Sequence, residues 1–148
     1  MKTNKFCKKL LMAATVLALL LNACAPKNEI QSNAGQALVE QGEAYMTCMQ
    51  ESDFNCAYAL MSPSAQKQVD QAVKLAGGVI DLEGLFKTSG LAIARWTFEQ
   101  AQFSTRDGTT TGSLTGKVEF TNGKQGRVKL EFEQAGETWK VRSSSMEE

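Results

Sequence analysis

Histidine is missing from this 148-residue chain altogether. Its absence removes the commonest general base near neutral pH and the commonest metal ligand. No Gly-x-Gly-x-x-Gly turn and no phosphate-binding loop occurs. The four cysteines do not make a zinc pattern, because two of them fall within or directly after the leader described below. Neither sign of charge dominates: Lys and Arg together number 16, as do Asp and Glu. The chain also has no internal repeat and no low-complexity tract. No cofactor and no metal is expected from these features, and the length points to one domain.

What is present begins with a distinctive N-terminus. Residues 2–9, KTNKFCKK, hold four lysines, and residues 10–21, LLMAATVLALLL, form an apolar run of 12 residues broken only by Thr15. A membrane-spanning helix needs roughly 20 apolar residues, whereas the apolar part of a signal peptide needs about 7–15. The run therefore reads as a signal peptide. It ends in Leu21-Asn22-Ala23-Cys24, which resembles the lipobox of bacterial lipoproteins. That resemblance implies a diacylglycerol on the Cys24 thiol, cleavage before Cys24, and N-acylation of the new terminus. The alternative is a chance cysteine beside an ordinary secretory cleavage site. Two or more acyl chains hold a protein stably on a membrane, where one does so only marginally. With Ala25 rather than aspartate after the cysteine, the resemblance implies the outer membrane, facing the periplasm, in a Gram-negative host. From Cys24 onward there are 12 basic and 16 acidic groups, a net of −4. Such a domain has no basic footprint for nucleic acid.

The remaining chain divides by period. Residues 24–33 are mostly polar after Cys24, contain Pro26, and read as a lipidated flexible tether. A first helix is expected over roughly 34–50, where Leu38, Tyr45 and Met49 recur at helical spacing. Ser52 or Asp53 would cap a short second helix carrying Phe54, Ala57, Tyr58 and Met61. Ser62-Pro63 would start a third, stopped by Gly77-Gly78. One or two further helical turns are expected within 79–87. From Ala92 the period becomes two. Trp96 and Phe98 share one phase and Ala101 and Phe103 the other, so a bulge is expected near Gln100. Segments 113–121, 127–133 and 138–142 alternate cleanly. They are joined at Asn122-Gly123 and Ala135-Gly136, and the first follows a turn at Asp107-Gly108. The expected class is α+β: N-terminal helices packed on a curved four-stranded antiparallel meander. The domain would span 34–142, and the tail 143–148 is expected to fray.

Helices followed by such a meander resemble the cystatin-like cone of the nuclear transport factor 2 superfamily, which includes the SnoaL-like proteins. The resemblance rests on Ala57-Tyr58-Ala59-Leu60-Met61-Ser62 and on the closing Gly136-Glu137-Thr138-Trp139-Lys140-Val141. It implies a hollow between helices and sheet, where the enzymes of the superfamily hold their catalytic groups, and pairing of two copies through the sheet.

Against that expectation, the inward strand positions from Trp96 to Val141 include no ionisable group. A catalytic acid would have to come from Asp53, Asp70 or Asp81, so no catalytic residue is assigned and the domain is expected not to be an enzyme. Tyr45, Tyr58, Trp96, Phe98 and Trp139 are the candidates for lining a pocket, with plain core packing as the alternative. The expectation is a membrane-tethered domain that binds a protein partner or a small apolar ligand. A purely structural envelope component and a SnoaL-like or isomerase-like enzyme are the rival readings.

Cys48 and Cys56 are the two thiols left once Cys24 is acylated. Eight residues of unbroken helix would hold them about 12 Å apart at 1.5 Å per residue. A disulfide needs Cα atoms within about 7 Å. A bond between them therefore requires the chain to reverse near Gln50–Asp53, where polar residues favour a turn. The alternative is a pair of buried reduced thiols.

Overall fold

The structure, a computed structural model, describes residues 27–77, 81, 83, 84 and 92–147. Among the described residues, the helices α1 (Asn33–Gln50), α2 (Phe54–Leu60) and α3 (Pro63–Leu75) precede the strands. These are β1 (Ile93–Arg106), β2 (Thr109–Phe120), β3 (Gln125–Ala135) and β4 (Thr138–Glu147). The strands form one antiparallel sheet in the order β1-β2-β3-β4. The α+β class and the meander are as the sequence pattern predicts. The leader 1–23 and Cys24 lie outside the described residues, as does most of the helical stretch expected within 79–87.

Each helix starts where a short polar side chain accepts a backbone N–H that the helix itself leaves unpaired. Ser32 accepts from Gly35 at 3.0 Å, Asp53 from Cys56 at 3.0 Å, and Ser62 from Ala65 at 3.3 Å. Such caps are worth about 1 kcal/mol each. Of the two residues expected to cap α2, Asp53 does so. Ser52 takes a left-handed φ of 61° and reverses the chain between α1 and α2.

The sheet bends around α1. In a flat sheet β1 and β4 would lie about 14 Å apart, three strand spacings. Here α1 packs on β1, β2 and β4, and the rings of Phe103 on β1 and Trp139 on β4 meet with centroids 5.6 Å apart. Two features make the bend. The register slips between Phe98 and Gln100 opposite β2, the bulge expected near Gln100, so Phe98 and Ala101 both point inward. Gly116 sits opposite Phe98, and a Cβ there would lie 2.0 Å from the Thr97 carbonyl oxygen.

The core lies between α1 and the concave face of the sheet. Leu38, Tyr45, Leu114, Leu130, Phe132 and Val141 are all fully buried. Packing is tight enough that α1 needs glycine to approach: a Cβ on Gly42 would come within 2.7 Å of Leu114 and 3.0 Å of Phe98. The opposite face carries Lys117, Arg127, Lys129 and Arg142, all exposed, together with Ser113, Glu119, Glu131 and Lys140, which are half-buried. Its ion pairs include Arg95 with Glu119, and Lys117 with Glu99 and Lys129 with Glu131, the last two 2.7 Å long and largely exposed. Surface pairs of this kind contribute little to stability.

Two boundary expectations are corrected. The tail from Ser143 does not fray: β4 runs to Glu147, paired with β3 as far as Arg127 beyond a register shift at Glu131/Phe132. The alternation that marked the strand breaks at that shift, which is why a polar Ser-Ser-Ser run concealed its continuation. Met146, in the extension, returns to the core. The tether is also shorter than its composition implies. The Asn28 side chain donates to Glu99 O at 2.9 Å and accepts from Ala101 N at 3.0 Å, while Glu29 N donates to Ala101 O at 2.8 Å. Ile30 packs on the core. Residues 28–33 are therefore docked on the outer edge of β1. Gly35 makes room for them, since a Cβ at that position would lie 2.0 Å from Glu29 O.

Candidate functional site

The sulfur atoms of Cys48 and Cys56 are bonded, with Cα atoms 5.7 Å apart. The bond joins the last turn of α1 to the first turn of α2 across the reversal at Ser52. The disulfide is the sequence-derived pairing that the structure brings together. Cys24 lies outside the described residues.

The five candidate pocket residues do not converge on one hollow. Tyr45 is fully buried, and its hydroxyl shares a hydrogen bond with the Ser144 hydroxyl at 3.1 Å. Burial pushes the Tyr45 hydroxyl above its ordinary value of 10.0, and the Ser144 bond offsets this in part. Phe98 and Trp139 are core side chains. Trp96 is half-buried on β1 and donates from Nε1 to Glu43 at 2.8 Å, tying β1 to α1. Tyr58 lies apart from these on α2. Its hydroxyl donates to Asp70 of α3 at 2.8 Å, and this bond raises the Tyr58 pKa.

The acids weighed for catalysis are also placed. Asp53 is an exposed helix cap, and Asp70 is exposed beside Tyr58. Asp81 is exposed and accepts from Gly84 N at 2.7 Å. None of the three faces the packed interior. Apart from the Tyr45 hydroxyl, the one buried polar side chain among the described residues is Ser62. Its work is structural: its Oγ caps α3 and bonds Ser64, and its N–H donates to Val141 O at 2.8 Å. Among the described residues no three side chains of metal-ligating type are grouped, and no helix is long and apolar enough to cross a membrane.

What the surface offers are shallow grooves. One, of about 420 Å³, lies between α2 and α3 over Tyr58, Asp70, Asn55, Val73 and Lys74. Another, of about 230 Å³, runs over the outer sheet face past Ser113, Lys129, Glu131 and Arg142. There Lys129 and Ser143 both donate to Glu131, which holds that carboxyl below the usual range. Both grooves are open to solvent, whereas a small-molecule site is typically enclosed and concave.

No protein-family model matches the chain, and no curated protein matches it either.

Sequence reasoning missed the Asn28 clamp and the Tyr45–Ser144 bond. Both join residues more than 70 positions apart, and neither leaves a periodic trace in the sequence. Burial of the Tyr45 hydroxyl, which raises its pKa against the lowering effect of the Ser144 bond, has a measurable consequence. The unfolded chain releases the tyrosine proton near pH 10, whereas the folded one resists. Stability from this group is therefore intact below pH 10 and falls as pH rises beyond it. Tyr45→Phe should cost about 1 kcal/mol at neutral pH through loss of the hydrogen bond. It should also remove part of the decline above pH 10. Urea titrations at pH 7 and pH 10.5 on both proteins check this, and equal pH dependence in the two would show that Tyr45 plays no part.

Proposed function

We propose that this chain is a bacterial lipoprotein, anchored in the cell envelope by acyl chains on Cys24, whose domain works as a non-enzymatic interaction module. The Leu21-Asn22-Ala23-Cys24 sequence after a lysine-rich, 12-residue apolar leader is the observation that carries the reading. The domain's place among cystatin-like cones of the nuclear transport factor 2 type belongs to the same proposal, supported by helices packed into the hollow of a bent meander.

The packed interior directs the proposal to the surface. With Tyr45, Phe98 and Trp139 in the core, a partner would meet the α2–α3 groove or the outer sheet face rather than a cavity. Its surface would carry mixed charge, to meet Asp70 and Lys74 in the one groove or Lys129, Glu131 and Arg142 in the other. In a Gram-negative host the location would be the outer membrane, facing the periplasm.

Mass spectrometry of the protein extracted from bacterial membranes tests the anchor. The wild type should carry diacylglyceryl and N-acyl mass on Cys24 and lack residues 1–23. Cys24→Ser should stay as an unlipidated precursor. A wild type without lipid mass, processed at the same site as the variant, would overturn the reading.

A further inference from the structure

We propose that the edge of β1 is the side of the domain held against the lipid headgroups, with the strands lying along the bilayer and the α2–α3 flank turned away from it. This rests on acylation at Cys24, proposed above, and goes beyond it by fixing how the domain sits.

The argument is one of reach. The clamp at Asn28 and Glu29 fixes the chain to β1 at Glu99 and Ala101. Four Cα–Cα steps separate Cys24 from Asn28, so the two lie no more than about 14 Å apart even when fully extended. A free nine-residue coil would have let the domain turn over; this tether does not.

The clamp also falls near the middle of a long strand. β1 runs from Ile93 to Arg106, so Ala101 and Glu99 are five to eight residues from its ends. Near Gln100 that is about 20 Å to either end at the usual rise per residue. Standing the strands upright would lift the clamp about 20 Å above the headgroups, further than the tether extends. The strands must therefore lie over.

The far side is excluded in the same way. α2 and α3 are fixed beyond the opposite edge of the sheet: Ser62 N donates to Val141 O, and Lys140 Nζ donates to Ala59 O at 3.2 Å. Between them and β1 lies α1, about 10 Å across with its side chains. A further 8–10 Å of helix packing separates the outer surface of α3 from β4. Placing that surface on the bilayer would again raise the clamp about 20 Å. The groove over Tyr58 and Asp70 is thereby left open to the aqueous side, where a partner can reach it.

The test uses lipidated protein in nanodiscs that contain a gadolinium-chelating lipid, with amide NMR signals read for paramagnetic broadening. Amides of Thr97–Ala101 should broaden several-fold more than those of Gln66–Gln71 on α3. Those of Ile93 and Arg106 should broaden to similar, intermediate degrees. Broadening of α3 equal to that of β1, or of one end of β1 alone, would overturn the arrangement. A variant with twelve Gly/Ser residues inserted between Lys27 and Asn28 keeps the clamp and lengthens the reach. In it the contrast between β1 and α3 should largely vanish, and an unchanged contrast would show that the short tether is not what orients the domain. Mass spectrometry of the same sample separates the two claims. Absence of lipid at Cys24 overturns the lipoprotein reading, and the geometry is then measured on the chain from residue 24 coupled through the Cys24 thiol to a maleimide lipid.

Discussion

Gly116→Ala should destabilise the domain by about 3 kcal/mol or more, at the upper end of the range for overpacking. The methyl group would be placed 2.0 Å from Thr97 O and 2.9 Å from the Phe98 Cα. Both are backbone atoms of β1, so no side-chain rotation relieves the contact. The strands would have to separate where the bulge bends the sheet, and the ladder between β1 and β2 would loosen. Domains of this size have a total stability of about 5–15 kcal/mol, so the melting temperature should fall by about 10 °C or more. Gly77→Ala is the informative comparison. Gly77 ends α3 with a φ of +66° but has nothing within 4 Å of a built Cβ. That substitution should cost only the 1–2 kcal/mol of a left-handed non-glycine residue. Thermal melts followed by circular dichroism on the two variants decide the matter. If Gly116→Ala melts as high as Gly77→Ala, the close approach is not what holds the bend.

Reduction of the disulfide should have the second largest effect. Cys48 and Cys56 are separated by eight positions, and closing a loop of that length removes about 2.5 kcal/mol worth of unfolded-state entropy in the chain-entropy model. A reductant, or the double substitution Cys48→Ala with Cys56→Ala, should lower the melting temperature by roughly 5–10 °C. The protein should still fold, because the core of α1 against the sheet does not depend on the bond. Peptide mapping without reductant should recover the two cysteines joined. Recovery of both thiols free from an oxidising compartment, or a melting temperature indifferent to reductant, would contradict the clip.

The parts of this architecture that the sequence makes legible are those enforced by local rules. Ser62-Pro63 marks the start of α3 because a capping hydroxyl and a proline at the first helical position are satisfied only there. The clash of phase between Phe98 and Ala101 betrays the bulge, since two inward residues three apart cannot share a regular strand. The turn signals are less faithful. Asp107-Gly108 forms the expected two-residue turn, with φ of 51° and 77° and Arg106 paired to Thr109. Asn122-Gly123, an equally strong signal, sits in a longer loop, with Phe120 bonded to Lys124. Ala135-Gly136, the weakest of the three signals, leads a tight turn closed by Ala135 and Thr138. What escapes the sequence is tertiary. Residues 28–33 have the composition of a linker and become structure only because an unpaired edge of β1 lies within reach. Ser143–Ser145 have a polar composition and are held as strand by the ladder with β3. Whether the candidate pocket residues line a hollow or pack as plain core escapes the sequence for a related reason. Aromatic residues at inward positions are the same whether a bent sheet encloses a space or closes on a helix, and the depth of α1, set by Gly42, decides between them.

An open sheet offers two rows of unpaired backbone groups to any extended chain that drifts by, and strand addition from such a chain is the first step of aggregation. In this molecule both rows are interrupted near their middles by its own residues. The Asn28 side chain imitates a peptide group against Glu99 and Ala101, and the Gln50 side chain donates to Ala94 O at 2.6 Å further along the same edge. On β4, the α2–α3 junction forms a parallel bridge from Met61 to Val141. A second copy would therefore find each edge broken into shorter runs, which leaves less backbone for it to pair with.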